Sequence, residues 1–224
     1  MRLILRGVVN IAAWFLPWPA RRWLFQAALG WSLDKTSRIG RSVVLADKVV
    51  LKAHARISNG NLVSPIGLLE LGPYATIGRG NRIVGAQKTR SYSAETDRRS
   101  ALILSDHAAL TRSHIVDCTN TVTIGRFSIF AGYRSQILTH SPDFRLAQQT
   151  SQPVHIGAYC FVGTGSIVLF GVTIPDYCIV SAGSVVTKSH DQTYQMYAGN
   201  PAKPVKDLAP DMAFFTRTVG HLGD

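Results

Sequence analysis

Large aliphatic residues recur every six positions in the C-terminal half of the chain, at Ile156, Val162, Val168, Ile174, Val180 and Val186. Four residues after each of the first five stands a small or β-branched side chain: Cys160, Ser166, Val172, Cys178 and Ser184. Glycine follows the large residue at Gly157 and Gly163. A period of six fits neither a helix nor an alternating strand, and a fixed internal repeat outranks local propensity. It describes a short straight segment that turns a corner and begins again. The large aliphatic fills the corner of a narrow core, and the small residue packs beside it. Three segments close one triangular coil, so residues 18 apart stack, and the pattern predicts a parallel β-helix.

The same step recurs upstream, more weakly. Ile39, Leu45, Leu51 and Ile57 keep it, then Leu71, Ile77 and Ile83, then Leu104, Leu110 and Val116, then Ile124 and Phe130. Each slip in phase predicts a loop leaving a corner. Residues 87–100 and 139–153 are the two long excursions, and loops of that length in a compact repeat domain are commonly functional. One continuous solenoid from about Ile39 to Lys188 accounts for the whole pattern. The expected organisation is a helical N-terminal segment at 1–35, the solenoid with its tail at 36–206, and a C-terminal extension at 207–224.

The formal net charge of +11 is concentrated at the N-terminus. Residues 1–41 carry Arg2, Arg6, Arg21, Arg22, Lys35, Arg38 and Arg41 against one acid, Asp34. A basic excess points to anionic partners. Nucleic acid is not among those expected, because no zinc-finger spacing, RNP-type motif or basic heptad helix is present. Trp14, Trp18, Trp23 and Trp31, all four tryptophans, lie in this segment too. Arginines interleaved with tryptophans suit a helix lying in a membrane interface. The alternative is a helical cap over the first coil, which solenoids require, and the two roles are compatible. The apolar run from Val8 to Leu16 is too short to span a bilayer, and no small-residue cleavage site follows it. Three cysteines do not make a disulfide framework. Cys160 and Cys178 should stack on neighbouring coils as reduced, compact apolar fillers.

From Ile124 to Lys206 the chain resembles the hexapeptide-repeat acyltransferases, in particular the sugar and polysaccharide O-acetyltransferases. The stretches that carry the resemblance are Val122-Thr-Ile-Gly125, Leu138-Thr-His140 with Pro142-Asp143, and Val154-His-Ile-Gly157. They continue with Phe161-Val-Gly163, Gly171-Val-Thr-Ile174, Ser181-Ala-Gly-Ser-Val-Val-Thr-Lys188 and Tyr197-Ala-Gly-Asn-Pro-Ala-Lys203. The resemblance implies an all-β, left-handed parallel β-helix, three subunits around a threefold axis, and clefts between subunits that use acetyl-CoA as donor. It implies that His140 is the catalytic histidine. It places Thr187 and Lys188 near the CoA phosphates, Lys203 and Lys206 beside the nucleotide, and Gly163, Thr164 and Ala182 along the pantetheine channel. No metal is implied.

The chemistry agrees with that assignment. O-acetylation needs a base to take a hydroxyl proton as the oxygen attacks a thioester, and imidazole is suited to it. No acyl-enzyme is required, so no nucleophilic serine or cysteine is expected. Asp143, three residues after His140, could orient the ring or simply close a turn after Pro142. His155 could line the cleft, and His107 and His114 could face the acceptor. His54, His190 and His221 read as surface residues.

In galactoside-type members an asparagine-rich stretch precedes a Val-Asp motif, whereas here the region reads Leu110-Thr-Arg-Ser-His-Ile-Val-Asp117. The acceptor contacts therefore differ. With the basic, aromatic N-terminus this points away from a free galactoside and toward a saccharide or a glycan on a lipid carrier, acetylated at the cytoplasmic face of the membrane. Three alternatives stand beside it: N-acylation or a longer acyl donor, a silent β-helix scaffold, and a γ-type carbonic anhydrase. The last places two zinc-binding histidines five residues apart, and His107 and His114 are seven apart.

Overall fold

The computed structural model describes residues 2–86 and 98–220. The chain winds as a left-handed parallel β-helix behind two N-terminal helices. Its strands stack into three sheets of seven, nine and seven strands, parallel and with each successive strand coming from the next coil except for the last strand of the nine, which folds back antiparallel. The large aliphatics of the six-residue repeat point inward and meet their counterparts above and below. Ile156 pairs with Ile174, Val162 with Val180 and Val168 with Val186, each 18 residues on. All six are buried, as are Cys160, Ser166, Val172, Cys178 and Ser184 beside them. The three cysteines are free and buried, and burial raises the Cys160 thiol to about 12 and the Cys178 thiol to about 11. They are inert core fillers, as expected.

The upstream coils follow the same logic with longer corners. Leu51 pairs with Leu71, Ile57 with Ile77 and Val63 with Ile83, 20 residues on. One upstream position needs correcting. Leu45 is half-buried, and Val44 is the residue that enters the core and stacks on Val63. The solenoid also begins earlier than Ile39, because Ser32–Leu33 already pairs with Val50–Leu51. Of the two long excursions, 139–153 is an antiparallel hairpin of His140–Asp143 against Gln148–Ser151. Most of the other, 87–97, lies outside the described residues, as does His221.

Two ladders run the length of the solenoid. Inside one corner, polar side chains satisfy the backbone of neighbouring coils. Ser42 Oγ accepts from Asn61 N–H, Asn61 Oδ1 from Asn81 N–H, and Asn81 Oδ1 from His114 N–H. Outside a second corner, His54, Tyr74, His107, Phe127, Tyr159, Tyr177 and Tyr194 stack ring on ring at 4.6 to 5.4 Å. All seven hold left-handed backbone, φ 54 to 61°, which a coil corner imposes and ring stacking helps to offset.

The N-terminal helices close one end. In α1 (Arg2–Ala13) the polar residue faces inward: Asn10 is buried, donates from Nδ2 to Val44 O at 2.9 Å and accepts from Val44 N–H at 3.0 Å. Its amide thus replaces the next strand at a sheet edge whose backbone groups would otherwise be unpaired. Val9 and Ala13 pack into the core beside Asn10, while the other face of α1 is apolar and outward, with Ile4 72% exposed, Val8 and Ile11 also exposed, and Phe15, just beyond the helix, 85% exposed. The helix caps the solenoid and presents an apolar stripe to its surroundings. Helix α2 (Trp18–Leu29) buries Phe25 against Trp31. Among the described residues no helix is long and apolar enough to cross a membrane. At the other end, Gln195–Gly199 adds a last strand and Ala202–Asp207 folds back on it antiparallel. A short helix, α3 (Ala213–Thr216), then sets Phe215 edge-on to Tyr177 and Tyr194 of the outer ladder.

Candidate active site

The strand Gln136–Ile137 ends at a corner, and the next coil does not begin until Val154. His140 opens the hairpin that fills the gap. Its ring is held from the coil beneath. Nδ1 lies 2.6 Å from Asp117 Oδ2, with the His140 side chain 42% exposed and that of Asp117 only 4%. Asp117 ends the strand Ile115–Asp117, and Val116 stacks under Ile137, so the carboxylate rises beneath the start of the hairpin.

The Asp117 carboxylate is surrounded by donors. Thr119 gives its N–H and hydroxyl to Oδ1 at 2.9 and 2.7 Å, and Thr139 gives its N–H to Oδ2 at 2.8 Å. Burial pushes the carboxyl up, but the bonds from Thr119, His140 and Thr139 outweigh it and hold Asp117 below the ordinary carboxylate range. A buried, ionised carboxylate on Nδ1 fixes the ring tautomer. With that acceptor beside it Nδ1 carries the proton and donates, which leaves the lone pair on Nε2. That is the arrangement of a positioned base.

Asp143 does not orient the ring. Its Oδ1 accepts the N–H groups of Arg145 and Leu146 at 2.8 and 3.1 Å, and it closes the hairpin turn. Nor do His107 and His114 face an acceptor at this corner. His107 belongs to the outer ring stack. His114 is buried in the inner polar ladder, where Nδ1 accepts from Ser135 N–H at 3.2 Å and Nε2 donates to Thr111 Oγ1 at 2.9 Å. Burial lowers its pKa to about 4, so it is neutral and structural. His155 is exposed on an outer sheet face between Thr123 and Thr173. His190 is half-buried and stacks on Tyr197 at 3.9 Å, and His54 lies in the outer ladder.

The remaining residues expected at the site divide between the two ends of one sheet. Gly163, Thr164 and Ala182 lie where the chain enters that sheet, just before Ile167–Val168 and Val185–Val186. Gly163 is a packing glycine, since a Cβ there would stand 2.6 Å from Ala182 N. Thr164 and Ala182 are exposed on successive coils. Thr187 and Lys188, also exposed, follow Val186 at the sheet's other end, where His140 likewise emerges one coil pair earlier. Lys203 and Lys206 project from the outermost strand of the closing hairpin. Among the described residues no group of three or more His, Cys, Asp or Glu side chains could hold a metal ion.

A model of the hexapeptide repeat of succinyl-transferases matches residues 153–188. A Schizosaccharomyces pombe protein whose name proposes an acetyltransferase is 34% identical over 92 residues, covering 39% of this chain and 44% of that one. A Staphylococcus aureus protein named in the same way is 40% identical over 60 residues, or 27% and 30% of the two chains. The match thus spans less than half the length of these relatives. A mutant of AntD, an N-acyltransferase from Bacillus cereus solved with dTDP and coenzyme A, shares the fold at TM-score 0.50 and 15% identity, over 86% of this chain and 91% of that one. Over 153–188 the chain thus carries the hexapeptide repeat, and its fold is the left-handed parallel β-helix of hexapeptide-repeat proteins.

Proposed function

We propose that the protein transfers an acetyl group from acetyl-CoA to a hydroxyl of a saccharide or of a glycan on a lipid carrier, with His140 as general base. The observation that carries this is the His140–Asp117 pair: an exposed imidazole held in one tautomer by a buried carboxylate at the root of a hairpin. His140 Nε2 takes the acceptor's hydroxyl proton as its oxygen bonds to the thioester carbonyl carbon. The carbon–sulfur bond then breaks, and the imidazolium returns the proton to the departing thiolate. Asp117 stabilises the imidazolium between the two transfers.

Lys188, Lys203 and Lys206 supply charge for the CoA phosphates, and the exposed corner at Thr164 and Ala182 leads toward His140 along one sheet. The exposed apolar stripe of α1, beside seven basic residues within 1–41, supports peripheral contact with a membrane. A homotrimer would supply the second wall that the open His140 corner needs. Calorimetry with acetyl-CoA tests the donor. Binding that weakens when Lys188 and Lys206 are both replaced by alanine, with thermal unfolding unchanged, supports the reading. Absence of binding to any acyl-CoA contradicts it.

A further inference from the structure

Next to the His140 corner, on the side toward the N-terminal helices, lies a groove of about 700 Å³ that the acetyl-transfer chemistry does not use. Leu68, Ala101 and Ile103 give it apolar walls, and Arg98, Arg99 and Thr121 line the end nearest His140. Arg98 is held in place, with Nη1 donating to Ala86 O at 2.6 Å and to Thr119 O at 2.9 Å. Thr119 is the residue whose hydroxyl holds the Asp117 carboxylate. Arg99 is exposed, and its carbonyl accepts from Thr121 Oγ1 at 2.9 Å. The neighbouring Asn120 donates to Ser151 Oγ at 3.1 Å, and Ser151 is the strand partner of His140. The arginine end of the groove and the catalytic corner are therefore parts of one hydrogen-bonded surface.

The opposite end leads to α1. Asp47 lines the groove and pairs with Arg6 of that helix, while Asn10, one turn later, binds Val44. The helix thus runs with its N-terminal end toward the groove, and Ile4 and Val8 are exposed on it. An apolar helix face, an apolar groove, an arginine pair and a base follow one another across the surface. The exposed guanidinium of Arg99 beside apolar walls, with the partly buried and bonded Arg98 adding charge behind it, suits a phosphate joined to a hydrocarbon chain.

We infer that this groove binds the lipid phosphate of a membrane-anchored acceptor. The chain lies toward α1 and the bilayer, the phosphate at Arg99 and Arg98, and the glycan beyond it at His140. This rests on the proposed transferase reading and names the acceptor class for it.

The test is co-sedimentation of the full chain with phosphatidylcholine vesicles, either plain, doped with farnesyl phosphate, or doped with phosphatidylglycerol to equal charge. The farnesyl phosphate vesicles should bind best, and Arg99→Glu should weaken that binding about tenfold, since each basic residue at a membrane surface is worth roughly 1 kcal/mol. Arg99→Lys should retain most of it, and binding to plain vesicles and thermal unfolding should not change. Equal binding to the two anionic vesicles would show general charge attraction and overturn the groove. So would an Arg99→Glu variant that binds like wild type. If soluble UDP binds in an Arg99-dependent way while farnesyl phosphate vesicles are no better than plain ones, the phosphate comes from a nucleotide and the lipid assignment is wrong. Acetyl-CoA calorimetry on the same preparations separates the two readings. Lipid selectivity without acetyl-CoA binding removes the transferase and leaves the groove.

Discussion

Asp117 and His140 are 23 residues apart in sequence and 2.6 Å apart in space, and every hydrogen bond around the carboxylate keeps it ionised under the ring. In the proposed mechanism Asp117 is a positioning residue, because it would act on the acceptor only through His140. Replacing Asp117 with asparagine removes the charge that selects the Nδ1–H tautomer and stabilises the imidazolium. We expect kcat to fall about 10²-fold while acetyl-CoA affinity stays near wild type. The pH–rate profile should also change shape, which a loss of packing alone would not cause. Asp143→Asn, at the hairpin turn, should leave kcat within about twofold. Steady-state kinetics of the two variants side by side decide between the carboxylates.

His114 gives a pH signature of stability. In the folded chain burial lowers its pKa from 6.5 to about 4, so between those values the unfolded chain binds the proton that the folded chain refuses. Stability from this residue is fully present above about pH 6.5 and declines as pH falls toward about 4, by roughly 3 kcal/mol. Neighbouring coils place Asn61 and Asn81 in the same ladder, so His114→Asn should fold and should lose that part of the acid sensitivity. Urea unfolding midpoints for wild type and variant near neutrality and near pH 4 test this. Parallel declines in the two proteins would remove His114 as the cause.

Much of this architecture is legible in the spacing of aliphatics, because the repeat is a direct image of the core. Ile156 through Val186 could be placed to the residue, since coils of 18 admit no ambiguity of phase. The upstream half is harder. Coils of 20 allow a one-residue slip, and at Val44 and Leu45, adjacent aliphatics, periodicity cannot say which turns inward. The resemblance singled out His140, but the carboxylate that its ring meets was not legible in the sequence. A carboxylate three residues away is the obvious local choice, and the true one lies a coil below. Stacking offers a usable signal: Val116 under Ile137 puts Asp117 beneath residue 138, next to the hairpin. Nothing periodic marks Asn10, whose role depends on a helix crossing a sheet edge.

Asn10 makes the capping role of α1 measurable. Asn10→Ala removes one hydrogen bond to Arg6 O and both to Val44, and leaves the N–H and C=O of Val44 buried without them. We expect a loss of about 1–3 kcal/mol in unfolding free energy, with acetyl-CoA affinity unchanged. Chemical denaturation measures it. Undiminished stability would mean that the helix does not seal the first coil.

The central claim is that His140 accepts the acceptor's proton, and it is tested most directly by thiol release from acetyl-CoA with a confirmed acceptor, comparing wild type with His140→Ala. The account predicts a kcat at least about 10²-fold lower in the variant, with acetyl-CoA affinity and assembly state unchanged. Full turnover by His140→Ala would contradict it and move attention to the exposed imidazole of His155 on the adjoining sheet.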